Sequence, residues 1–212
     1  MSHTDSGNPY DLSPLSGESA WKVAVTADST QHFAAMIESL RKMQDRVAGS
    51  NPPVSEIIEV TKRIDEIERL LSAYQVPYSE SVAGHLDVPG RGQSMAPAFV
   101  VEDGDDDNVH GRVSFSRFYL GGGGAVHGGA IPLVFDEVLG RLANAGGRTR
   151  SRTAYLHVNY RAITPLDREL RLAARFDREE GRKRYLTAEL RDGDTLLADA
   201  EGLFVSLRPG QP

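Results

Sequence analysis

One stretch of this chain constrains its fold more than any other. It is a strongly apolar helical segment, residues 131–145, entered through a run of glycines and followed only by segments of period two. Ile131, Val134, Phe135, Val138, Leu139 and Leu142 spread over so much of the helix that it must be covered on most sides. Pro132 sits in its first turn, where proline is tolerated, and Gly146-Gly147 ends it. Behind it, 152–160, 169–177, 184–191 and 196–207 alternate apolar and polar residues, as half-buried strands do. The links at 163–167, 179–182 and 192–194 are short enough for hairpins. A strand is also expected around Val113, Phe115 and Tyr119, ahead of the glycines. The expected class is α+β, one long buried helix against a curved antiparallel sheet.

The first part of the chain reads differently. Residues 1–20, rich in Ser, Gly, Pro and Asp, are expected to be a disordered tail. Trp21, Val23 and Val25 alternate over a run too short to define a strand. Helical spacing runs over 31–47 and again over 55–74, broken by Asn51-Pro52-Pro53. An antiparallel helical hairpin is the expected result. The division is therefore a tail at 1–20, a helical extension at 21–76 and a main domain at 77–212. Residues 79–110 look loop-rich, and the acids from Glu102 to Asp107 read as a solvated loop whose spacing does not fit a calcium loop.

Composition removes several functions. With no cysteine there is no disulfide scaffold, thiolate zinc site, iron–sulfur cluster or cysteine nucleophile. A net charge of −6 argues against nucleic acid as partner. No apolar run reaches the ~18 residues of a membrane span. The first residues lack the basic start and apolar stretch of a signal peptide, so the cytoplasm is expected. A phosphate loop, a dinucleotide fold and a G-x-S-x-G elbow are all absent, and no metal site is expected.

The chemistry is concentrated at His127-Gly128-Gly129 and at Asp136, nine residues after the histidine. Glycines allow close approach to the backbone. The first amides of a helix lack intrahelical partners and point outward, into positive potential from the helix dipole. Such a turn can stabilise negative charge on a carbonyl oxygen. A carboxylate nearby can attack the carbonyl or activate water. The neighbouring acid, Glu137, lies about a hundred degrees round the helix, so only one of the two can face the site; Asp136 is the choice.

These residues carry a resemblance. The segments HGGAIPLVFDEVLG, TAYLHVNYRAITPL and EGRKRYLTAELRDGDTLLADAEGLFVSL, in that order, resemble the hotdog-fold acyl-CoA thioesterases of the PaaI-like thioesterase superfamily. The resemblance covers roughly the last 100–130 residues and leaves the first 75 unexplained. It implies hydrolysis of an acyl-CoA, with Gly128 polarising the thioester carbonyl through its amide and His127 near the sulfur. Asp136 would be the base or nucleophile, and Thr153 would orient the attacking water. Tyr155, His157 and Asn159 are expected on the same strand face as Thr153. Gly129 is expected to contact substrate. Gly181, Arg182 and Lys183 either contact coenzyme A phosphates or form a solvated turn. Coenzyme A enters only as part of substrate and product, with no further cofactor. The resemblance also implies a homodimer, or a dimer of dimers, with sites at the interface. Some members carry Asn where this chain has Gly121. Two other functions stay open: hydration or dehydration of an enoyl thioester, and non-catalytic binding of an acyl-CoA.

Overall fold

A computed structural model describes residues 26–77 and 80–210. The expected tail and the alternating Trp21, Val23 and Val25 lie outside these residues. Three helices are present: α1 (Ala27–Ala48), α2 (Val54–Ser72) and α3 (Ala130–Ala143). Six strands form one antiparallel sheet: β1 (Phe99–Gly104), β2 (Asn108–Ser114), β3 (Ser151–Tyr160), β4 (Glu169–Glu180), β5 (Lys183–Asp192) and β6 (Thr195–Ser206), in the order β1-β2-β4-β5-β6-β3. The long helix α3 lies against this curved sheet, which is the hotdog arrangement.

The reason is the match of two periodicities. α3 buries Ile131, Val134, Phe135, Val138, Leu139 and Leu142. The sheet answers with every second residue: Val109 and Val113, Leu170 and Leu172, Leu186 and Leu190, Ala198, Ala200 and Phe204. Each large side chain so covered stabilises the fold by about 1.5–3 kcal/mol. Gly202 marks the closest approach. A Cβ there would stand 2.9 Å from the Phe204 ring and 3.1 Å from Leu139 Cδ1.

Four sequence expectations are corrected. Residues 99–104 form a strand rather than a loop, and the acidic run is its turn into β2. There Asp105 Oδ1 accepts the amides of Asp107 and Asn108, which lowers its pKa below the ordinary value. The expected strand near 113–119 is β2, displaced toward the N-terminus, and Tyr119 lies in a short turn of helix beyond it. The link at 163–167 is not a hairpin: β3 pairs with β6 at the far edge of the sheet, while β4 pairs with β2 and β5. The two N-terminal helices exist, but α2 does not fold back to bury itself in a hairpin. Pro53 enters α2 in an extended conformation, and no residue of α2 is buried. α1 does touch the main body. Arg41 donates to the carbonyls of Gln93 and Ala96, and Asp45 accepts the Phe118 amide.

The two sheet edges differ. β1 is short, carries a bulge between Val101 and Asp103, and bears Glu102 and Asp103; these features discourage further pairing. β3 is ten residues long, and Thr153, Ala154, Tyr155, His157 and Tyr160 are exposed.

Candidate active site at the open edge

The site grows from α3 and β3, which lie beside one another. Asp136 is on the exposed flank of α3, and the Thr153 hydroxyl donates to its Oδ1 at 2.9 Å. Among the described residues no cation pairs with this carboxylate. Glu137 turns the other way, partly covered, with Arg91 3.7 Å from its Oε1. Burial lowers the pKa of Arg141, one turn further along, against the opposing field of Glu137. The helix thus assigns its two adjacent acids to different surroundings, one open and one beneath the 84–93 loop.

Before α3 the chain makes a compact turn. The Gly129 amide donates to His127 Nδ1 at 3.0 Å, so it is not free for a substrate, as its expected contact role would require. Accepting there, the neutral imidazole carries its proton on Nε2 and can donate from that side. The Gly128 amide has no protein acceptor among the described residues, while its carbonyl accepts the Tyr160 hydroxyl at 2.7 Å. Tyr160 was not singled out from the sequence. It sits at the end of β3, and its hydroxyl polarises the peptide group whose N–H holds His127.

Gly121 is locked into the same turn. A Cβ at 121 would stand 2.7 Å from His127 Cα, and its own amide bonds Ala125 O. An asparagine, as in some resembling proteins, has no room here without moving the His127 backbone.

One expectation about β3 fails. Thr153 pairs with Phe204, whereas Tyr155 pairs with Leu203, because a bulge intervenes. The extra residue reverses the alternation beyond it. Thr153 therefore faces α3, while Tyr155, His157 and Asn159 lie on the outer face of the sheet. There Tyr155 bonds Glu201 and Asn159 bonds Asp199. Hydrogen bonding from the Arg161 guanidinium holds the Asp199 carboxyl below the usual range.

Gly181, Arg182 and Lys183 are exposed at the β4–β5 turn. Arg182 donates to Ser206 O, and Lys183 lines up across the strands with Val205 and Arg152, one step beyond the row that holds Arg184, Phe204 and Thr153. The turn therefore stands at the Thr153 end of β3, away from the His127–Gly129 turn. No group of three or more His, Asp or Glu among the described residues is gathered to hold a metal ion.

Residues 123–198 match the family model of the thioesterase superfamily. That stretch, from the glycine turn to β6, is similar to the thioesterase superfamily. A crystal structure of a thioesterase superfamily protein superposes with a TM-score of 0.71 at 28% identity, covering 82% of this chain and 90% of that one. That overlap exceeds the hotdog part alone, so it extends into the helical segment. The acyl-coenzyme A thioesterase THEM4 of Bos taurus is 37% identical over 88 residues, 41% of this chain and 35% of that protein. The Mus musculus protein of the same name is 33% identical over 91 residues, 42% of this chain and 39% of its own. The chain thus spans little more than a third of the length of these curated relatives. No described helix of this chain is long and apolar enough to cross a membrane.

Proposed function

We propose that the chain hydrolyses acyl-CoA thioesters to a carboxylic acid and coenzyme A. The observation that carries this reading is the exposed Asp136–Thr153 pair on the same open edge as the exposed Gly128 amide. In the reaction, Asp136 takes a proton from water and passes it on to the departing thiolate, or attacks the carbonyl itself to give a mixed anhydride that water then opens, restoring the carboxylate. Thr153 holds one carboxylate oxygen and thereby fixes the carboxylate's orientation. Oxygen adds to the carbonyl carbon, the carbonyl electrons move onto oxygen beside the Gly128 amide, and collapse expels the thiolate. A thiolate with a conjugate pKa of about 8.5–10 leaves without a strong acid. His127, protonated on Nε2, is the donor suited to the sulfur. Coenzyme A takes part only as the carrier of the acyl group.

The reading includes a second copy. Six residues of helical rise, about 9 Å, separate the start of α3 at Ala130 from Asp136, and the Gly128 amide lies in the turn before it. An amide must lie about 3 Å from the oxyanion and the attacking atom about 3–3.5 Å from the carbon. The reading therefore assigns the amide and the carboxylate that act on one carbonyl to different chains. Pairing two β3 edges would cover the open strand and bring Gly128 of one chain toward Asp136 of the other, so the reading includes a homodimer with the site between chains.

Three tests belong to this reading. Thiol release across a panel of acyl-CoAs should exceed any loss of the double bond from a crotonyl thioester. The reverse would favour hydration, and tight retention without thiol release would favour a binding module. Thr153→Val should lower kcat about tenfold, the worth of one hydrogen bond to a charged group, and Thr153→Ser should recover most of it. Tyr160→Phe should cost up to about tenfold in kcat with little change in Tm, since it removes one neutral hydrogen bond worth about 0.5–1.5 kcal/mol from an exposed turn. Unaltered kcat in this variant would show that the Gly128 turn holds its shape without the hydroxyl.

A further inference from the structure

α2 presents a pattern that nothing in its own chain uses. Ile57, Val60, Ile64, Ile67 and Leu71 recur at alternating spacings of three and four and are all exposed. That is the spacing of a coiled-coil seam, not merely of an amphipathic surface helix. Helices in proteins draw most of their stability from packing of the apolar face, and α2 has no buried residue to supply it. So many neighbouring exposed apolar side chains mark a contact surface.

The flanking charges say what fits there. With Ile57, Ile64 and Leu71 as the first seam positions of successive heptads, Arg63 and Glu68 fall on opposite flanks of the seam. Two parallel copies of α2 bring Arg63 of each beside Glu68 of the other. An antiparallel pairing sets Arg63 near Leu70 and Glu68 near Thr61, with no opposite charges in contact. The seam is thus self-complementary in one direction. We propose that α2 pairs in parallel with α2 of a second copy of this chain, forming a short two-stranded coiled coil. This contact is separate from pairing at β3 and does not depend on the reaction assigned to the domain.

The absence of cysteine makes the test clean. Ile57→Cys lies on the seam, and in a parallel pair it faces itself. Lys62→Cys lies on the far side of the same helix. Under mild oxidation of the full chain, I57C should form a covalent dimer at least about ten times faster than K62C, since facing thiols gain a large effective concentration. Adding Ile64→Lys to I57C should bring its rate down to that of K62C. Because α2 buries nothing in its own chain, these changes leave the core intact, and the Tm of the reduced proteins checks this. Equal rates for I57C and K62C would overturn the proposal, as would cross-linking of I57C to Leu71→Cys but not to itself.

Discussion

Asp136→Asn is expected to lower kcat for acyl-CoA cleavage by about a hundredfold to ten-thousandfold, the range that one positioned acid–base group supplies. The substitution keeps the shape of the side chain and its acceptor oxygen for Thr153. It removes the negative charge and with it the ability either to take a proton or to attack carbon. The carboxylate is exposed, and Thr153 is its one side-chain hydrogen-bond partner among the described residues, so the fold loses little. Tm should stay within about 2 °C, inside the half kilocalorie typical of exposed positions. Thiol release and thermal unfolding measured on one preparation therefore separate chemistry from stability. A variant that retains kcat within a few-fold and unfolds normally would remove Asp136 from the reaction, and with it the proposed hydrolysis mechanism.

The largest stability effect is expected at Arg184, far from any substrate. Its side chain is 2% exposed. The guanidinium donates to Ala143 O at 2.8 Å, to Thr149 O at 2.6 Å and to Thr149 Oγ1 at 3.1 Å, with Glu179 3.3 Å away. It therefore closes the C-terminal end of α3 and holds the turn that leads into β3. Arg184→Leu strands two carbonyls in an enclosed place and leaves Glu179 without its cation. The expected loss is about 2–5 kcal/mol, mostly the cost of two enclosed carbonyls left without a donor, seen as a fall in Tm of roughly 10 °C. Arg184→Lys keeps the charge but not the fork that reaches several acceptors, so its loss should be intermediate. A Tm for R184L within about 2 °C of the parent would mean that solvent reaches those carbonyls.

Arg184 also illustrates what one sequence conceals. A polar residue opening an alternating strand reads as solvent-facing, and only the packing of α3 above β5 turns it inward. The same limit hid β1, whose six residues combine three apolar ones with Glu, Asp and Gly. Strand partners are set across long sequence separations, so the placement of β3 beside β6 had no local signal. The bulge at Thr153 was invisible for the same reason, and the expected shared face of Thr153, Tyr155, His157 and Asn159 failed on it. By contrast, α3 was legible because its apolar residues recur on the helical period, and the His127–Gly129 turn because glycine and proline punctuate it. Helix geometry said only that Asp136 and Glu137 face different ways; the choice of Asp136 rested on its spacing from the HGG turn and on the resemblance, and the structure puts the two acids on different flanks. Tyr160 left no such signal, since a tyrosine ending a strand is ordinary. The seam on α2 was present in the spacing but was attributed to a hairpin with α1.

The irregularity between Thr153 and Tyr155 separates two surfaces that would otherwise share one row of side chains. Upstream of it β3 looks toward the helix; downstream, toward whatever meets the back of the sheet. Drift at Tyr155 or His157 can therefore retune outer contacts while the carboxylate keeps its hydroxyl neighbour. Losing Ala154 would turn β3 into a regular ladder, with Thr153 and Tyr155 as neighbours on opposite faces and the downstream half keeping its partners.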